Sequence, residues 1–214
     1  MNTHTSRRLL QGPGGVLEVA YDAPAADRIP QGLALVCHPH PLHGGTLDNK
    51  VVQTLVRAFL QLGWRTLRLN YRGVGRSEGV WDEGRGETDD AQQALLTTVE
   101  PGERLLLAGF SFGGFVAAQV AHRLVEAGQA AERLVLVGPA TGTFPVPPVA
   151  PDTVVIHGET DDVVPLQATL DWARPQSLPV IVIPGVGHFF HGQLPLLKSV
   201  VLRALSPSCF SNPN

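Results

Sequence analysis

Ser111 stands at the centre of Gly109-Phe110-Ser111-Phe112-Gly113, and what that serine can do depends on its surroundings. A serine hydroxyl is a weak nucleophile at neutral pH. It needs an imidazole within hydrogen-bond reach to take its proton, and the imidazole needs a carboxylate to fix its tautomer. Further along the chain, Asp161 in His157-Gly158-Glu159-Thr160-Asp161-Asp162 and His188 in Gly187-His188-Phe189 supply both groups. The order serine, acid, histidine is the one expected when the nucleophile occupies a sharp turn between a strand and a helix. The pentad alone is weak evidence in a chain with 23 glycines. Its flanks strengthen it, because an all-apolar run precedes it and a helical pattern of small residues follows.

Other residues compete for each role. His157 and His191 are alternative bases, but His157 precedes its loop glycine and ends a strand, whereas His188 lies on the loop itself; His191 is expected at the rim. Asp161 is favoured as the acid over Asp162, and Glu159 is least able to reach across because it is closest to the strand. A tetrahedral intermediate needs two backbone donors. One is the N–H of Phe112, at the positive end of the following helix. The other belongs to the loop after Cys37, where Pro39 and Pro41 have no N–H, so the main chain of His40 is expected, with Leu42 as fallback.

His38, His40 and His43 lie close together without a cysteine or carboxylate beside them. They are read as histidines shaping the mouth of the site rather than as metal ligands, and no metal or cofactor is expected. Gly73-Val74-Gly75-Arg76 lacks both the dinucleotide fingerprint and the phosphate-loop lysine, so it reads as a turn needing glycine dihedrals.

Alternating strands and helices must hold these loops. Arg8–Gln11 and Val16–Tyr21 flank a glycine-rich turn and read as antiparallel strands. Leu33–Cys37 is an apolar strand leading through the histidine–proline loop to a helix capped by Asp48 or Thr46, with Val51, Val52, Leu55, Val56, Phe59 and Leu62 as its buried stripe. Arg65–Tyr71 then precedes a helix over Thr88–Val99, and Arg104–Phe110 precedes one over Phe112–Ala127. Arg133–Val137, Thr153–Ile156 and Val180–Ile183 complete the strands, with helices to Trp172 and to about Leu205. This alternation implies a mostly parallel α/β sheet covered on both faces, whose functional loops gather at the carboxyl ends of its strands.

With 43% hydrophobic and 16% charged residues and a net charge of −3, the 214-residue chain is neither disordered nor a basic nucleic-acid binder. One domain over residues 1–214 is expected, with 206–214 as a flexible tail. Two cysteines make no disulfide framework, and no run has the length of a signal peptide or membrane span. The chain therefore reads as soluble and cytoplasmic, with no membrane partner.

From about Val16 to Leu205 the sequence resembles the α/β-hydrolase superfamily. The resemblance rests on His38-Pro39-His40-Pro41-Leu42-His43-Gly44-Gly45, Asn70-Tyr71-Arg72-Gly73-Val74-Gly75-Arg76-Ser77, Gly109-Phe110-Ser111-Phe112-Gly113-Gly114, His157-Gly158-Glu159-Thr160-Asp161 and Gly187-His188. The histidine–proline run is similar to that of small bacterial serine hydrolases without a lid. The resemblance implies an eight-stranded sheet, a Ser111, Asp161 and His188 triad, and esterase-type activity on a small-molecule ester or thioester. Relatives often carry glycine where this chain has Pro39. Gly138–Pro151 is too short for a helical cap, so Phe110, Phe112, Phe115, Phe144, Trp81 and Phe189 are candidates to line an open site. A non-catalytic binding protein on the same scaffold and an acyltransferase using the same nucleophile are the competing readings.

Overall fold

A computed structural model describes residues 5–27 and 29–206. Its framework is an eight-stranded sheet in the order β1-β2-β4-β3-β5-β6-β7-β8. The strands are β1 (Ser6–Gly12), β2 (Gly15–Asp22), β3 (Leu33–Cys37), β4 (Arg65–Leu69), β5 (Leu105–Phe110), β6 (Arg133–Val137), β7 (Val154–Gly158) and β8 (Val180–Ile183). β1–β2 and β2–β4 pair antiparallel, and every other pairing is parallel.

The central strands have no polar face because both faces are covered. Successive residues of β5 feed opposite cores. Leu105 and Leu107 pack with α2 (Arg85–Thr98) and α3 (Phe112–Glu126), whereas Leu106, Ala108 and Phe110 pack with α1 (Lys50–Gln61) and α5 (Leu194–Leu205). α4 (Leu166–Ala173) adds a small cluster through Ala173 against Val155. Residues 138–153, between β6 and β7, form no helix, so nothing is inserted there to cover the ends of the strands.

Several strand ends shift by one or two residues from those read from the sequence, and two helix starts differ. α1 is capped by Asn49, not by Asp48 or Thr46: the Asn49 side chain accepts from the N–H groups of Val51 and Val52 at 2.9 and 3.4 Å. α2 begins at Arg85, ahead of the expected Thr88. The Glu87 carboxylate accepts from the N–H groups of Asp82 and Gly84 at 3.0 and 2.8 Å, which closes an earlier turn. The tail expected over 206–214 falls, from residue 207 on, outside the described residues, as does Cys209. Among the described residues no helix is long and apolar enough to cross a membrane.

Candidate active site

The sheet delivers Ser111 on a turn that leaves no room for side chains around it. A Cβ on Gly109 would lie 1.9 Å from the Gly113 carbonyl oxygen, and one on Gly113 would lie 2.3 Å from that of Cys37. β5, α3 and the loop after β3 are therefore in backbone contact. Ser111 itself takes φ 57° and ψ −120°, a conformation that costs an L-residue on the order of 1–3 kcal/mol. Its backbone is locked in place: the N–H donates to Val137 O at 2.9 Å, and the carbonyl accepts from Gly114 and Ala140 at 2.9 and 3.2 Å. The side-chain hydroxyl has no hydrogen-bond partner among the described residues.

The expected acid and base meet. His188 Nδ1 lies 2.6 Å from Asp161 Oδ2, and both residues are buried. The other carboxylate oxygen, Oδ1, accepts from the N–H groups of Val163 and Val164 at 3.0 and 2.7 Å. Burial works to raise the Asp161 pKa, but the bond from His188 and those backbone N–H groups outweigh it and hold the carboxyl below its ordinary value. Gly138 connects this pair to the serine. A Cβ there would lie 3.4 Å from Asp161 Oδ2 and 3.5 Å from His188 Nδ1, and Gly138 directly follows Val137, the residue that accepts the Ser111 N–H. The Phe110 ring, next to Ser111, packs on the His188 imidazole at 4.8 Å.

The competing residues lie elsewhere. Asp162 is exposed. Glu159 accepts the N–H of Gly185 at 2.7 Å, which joins the acid loop to the base loop. His191 is exposed and stacks beside Phe189, 5.7 Å between ring centres. His157 is wholly buried behind Asp161, with Nε2 3.4 Å from Asp161 Oδ2.

The N–H groups of His40 and Phe112, the two expected oxyanion donors, have no acceptor among the described residues. The fallback donor, Leu42 N–H, points to His40 Nδ1 at 3.3 Å. Pro39 has no N–H, and His40 is the first residue after it that has one.

Of the three loop histidines, His38 does not shape the mouth. It is fully buried, with Nδ1 2.7 Å from Pro39 O and Nε2 accepting the Tyr71 N–H at 3.1 Å, so both nitrogens serve the backbone. Burial pushes its pKa down to about 3, against the pull of the Pro39 carbonyl. His40 and His43 do face outward, stacked 4.5 Å apart; burial and the neighbouring imidazole lower the His40 pKa.

Gly73 and Gly75 take φ of 75° and 58°, and the turn they make is held by Glu18, whose carboxylate accepts the Arg76 N–H at 3.0 Å. Of the aromatic candidates, Phe110, Phe112 and Phe115 are core, because strand and helix turn them inward. Trp81 and Phe144 are half-buried around His40, and Phe189 is exposed.

This arrangement has relatives. Residues 40–151, just over half of the chain, match the family described as serine aminopeptidase, S33. An α/β serine hydrolase homologue from Coxiella burnetii is 39% identical and superposes with a TM-score of 0.83, over 94% of this chain and 97% of that one. A Xanthomonas campestris protein, described as a member of the α/β serine hydrolases without lid, is 34% identical with a TM-score of 0.86, over 100% and 99% of the two chains. An uncharacterized protein of Rickettsia prowazekii is 32% identical over 195 residues, 84% of this chain and 79% of that protein. The chain belongs to the α/β-hydrolase superfamily, and within that superfamily it is a hydrolase built without a lid.

Proposed function

We propose that the protein is a serine hydrolase that cleaves a carboxylic ester or thioester through an acyl-Ser111 intermediate. The observation that carries this reading is the buried 2.6 Å contact between His188 Nδ1 and Asp161 Oδ2, on loops that adjoin the strained Ser111 turn. Asp161 accepts the Nδ1 proton of His188, which leaves the Nε2 lone pair as the base. As Ser111 Oγ bonds to the acyl carbon, its proton passes to Nε2, and the carbonyl oxygen becomes an oxyanion. The N–H groups of Phe112 and His40 receive that charge. The Nε2 proton then passes to the leaving oxygen or sulfur as its bond to the acyl carbon breaks. Water, deprotonated by the same nitrogen, attacks the acyl-enzyme and returns the Ser111 hydroxyl. No electron transfer or group carrier enters, so the chemistry calls for no cofactor or metal.

Leu42, Val80, Val163 and Phe189 are exposed apolar side chains on the loops after β3, β4, β7 and β8. They favour a substrate with an apolar acyl part of small or medium size, which an uncovered site admits. The test is labelling by a fluorophosphonate read by mass spectrometry, with turnover measured on p-nitrophenyl esters and acyl thioesters of graded length. Wild-type protein should take one label on the peptide containing Ser111, and Ser111→Ala none. Wild-type protein that stays unlabelled, or a variant that labels equally, overturns the reading. Because the matching family is described as aminopeptidases, aminoacyl p-nitroanilides are included; turnover of these alone would move the substrate class from ester to amide.

A further inference from the structure

His157 lies one residue before the end of β7 and is wholly buried. Its Nε2 is 2.9 Å from the Val164 carbonyl oxygen and 3.4 Å from Asp161 Oδ2. Both neighbours are acceptors, so Nε2 carries the proton and Nδ1 is a bare lone pair. That Nδ1 is buried with no partner among the described residues. A buried polar atom without a partner is a cost to stability. What the imidazole supplies in return is the Nε2–H.

That N–H is aimed at the proposed acid by two routes. It ties down the Val164 carbonyl, while the N–H of the same residue donates to Asp161 Oδ1 at 2.7 Å. It also lies behind Oδ2, the oxygen that receives His188 Nδ1 at 2.6 Å. A carboxylate has about four lone-pair directions. Val163, Val164 and His188 each bring one N–H to Asp161, and His157 Nε2, bonded to the Val164 carbonyl, lies 3.4 Å from Oδ2. The titratable groups facing His157 are Asp161 on its own loop and His188 on the loop after β8. Flanking β7, β6 and β8 pair with it through Val135, Leu136, Val137, Val180, Ile181, Val182 and Ile183, all apolar.

The geometry points to His157 as a positioning residue for the hydrolytic reaction: a fixed, neutral donor that holds Asp161 through Val164 and sets its N–H dipole beside the charge on Oδ2. By drawing on that charge it sets how strongly Asp161 retains the proton on His188. Burial, opposed by the Val164 carbonyl and by Asp161, keeps the His157 pKa below its ordinary value. This inference rests on the serine-hydrolase reading above.

The test compares His157→Gln, which keeps an amide N–H at the reach of Nε2, with His157→Phe, which keeps a ring and no donor. His157→Met is a second donor-free variant should the Phe variant not fold. Each is assayed for kcat/KM against pH on a p-nitrophenyl ester, with Tm measured in parallel. Without the donor, the negative charge on Oδ2 is less shared and favours the His188 imidazolium. The acid limb of the profile should therefore move to higher pH by about half a unit, with kcat down about tenfold. The Gln variant should keep the wild-type limb and fall by no more than about threefold. An unmoved limb in the donor-free variants, or equal losses in all three, overturns the inference. A wild-type protein that neither labels nor turns over ester overturns the hydrolase reading instead, so the two failures are distinguishable.

Discussion

Replacing Asp161 with asparagine tests the acid–base half of the site directly, and the outcome follows from which atoms face the carboxylate. The Oδ1 position receives two N–H groups, from Val163 at 3.0 Å and Val164 at 2.7 Å, so only an acceptor fits there. The asparagine carbonyl must take that place, which turns its NH2 toward His188 Nδ1, now 2.6 Å from Oδ2. A donor at that spot forces Nδ1 to accept, and the imidazole proton moves to Nε2. The proposed base then has no lone pair left for the Ser111 proton. A wrong-tautomer imidazole of this kind costs about 10⁴-fold in kcat, or about 5.4 kcal/mol of barrier. The assay is steady-state hydrolysis of a p-nitrophenyl ester by Asp161→Asn, with the unfolding midpoint and fluorophosphonate labelling rate measured alongside. Asp162→Asn serves as the control, expected within about twofold of wild type because the side chain is exposed. A folded Asp161→Asn variant retaining more than about a tenth of wild-type kcat would refute the tautomer argument.

Three further outcomes follow. The buried His38, with its pKa near 3, refuses a proton that an unfolded histidine binds below about pH 6.5. Stability should therefore fall as pH drops from about 6.5 to 3, by about 1.4 kcal/mol per unit from this group and about 5 kcal/mol in all. In urea titrations His38→Gln should show a shallower fall across that window, and parallel pH curves for the two proteins would sink the assignment. Asn49→Ala removes the cap of α1 and should cost about 1 kcal/mol, a Tm loss of about 2–4 °C with room-temperature turnover preserved; an unchanged Tm would show that the cap is dispensable. Gly113→Ala puts a methyl 2.3 Å from the Cys37 carbonyl oxygen, so the elbow must open. A loss of about 3 kcal/mol is expected, and calorimetry giving a wild-type midpoint would show that the elbow has slack.

What could be read in advance was periodicity and order. β3 and β6 fall where continuous apolar runs place them, because strands covered on both faces have no polar interruption to confuse their ends, and β8, a partly exposed edge strand, is marked by its own apolar run. Ser111, Asp161 and His188 could be named because each follows a strand. The misses share a different cause. Asn49 was hidden among three possible caps, and only the backbone angle at the helix start chooses between Thr46, Asp48 and Asn49. His38 looks like its neighbours His40 and His43 in sequence, yet one residue's difference in position turns it inward, where Tyr71 N–H needs an acceptor. The buried pair of Arg68 and Asp22, 2.8 Å apart, interrupts an otherwise apolar strand in a way no local pattern announces. Its partner is 46 residues away. Glu159, dismissed as acid because it is close to the strand, uses that closeness to reach Gly185. A carboxylate opposite a glycine N–H in another loop leaves no signature in either segment.

The same contacts explain how the proposed acid and base stay aligned in a hydrolase without a lid. The Glu159 N–H donates to Ile183 O at 3.0 Å, the Thr160 N–H to Val186 O at 3.0 Å, and the Gly185 N–H returns to Glu159 Oε2. These bonds continue the β7–β8 ladder beyond the strands, so the separation of Asp161 and His188 is fixed by sheet register and needs no cap pressing on the loops. Ser111 is fixed differently. Its backbone is held against strain by Val137, Gly114 and Ala140, while its hydroxyl has no hydrogen-bond partner among the described residues. Of the three side chains of the proposed triad, only the serine hydroxyl lacks such a partner among the described residues. A substrate carbonyl seated on the N–H groups of Phe112 and His40 is expected to orient it, because the acyl carbon is then held beside the hydroxyl that must attack it.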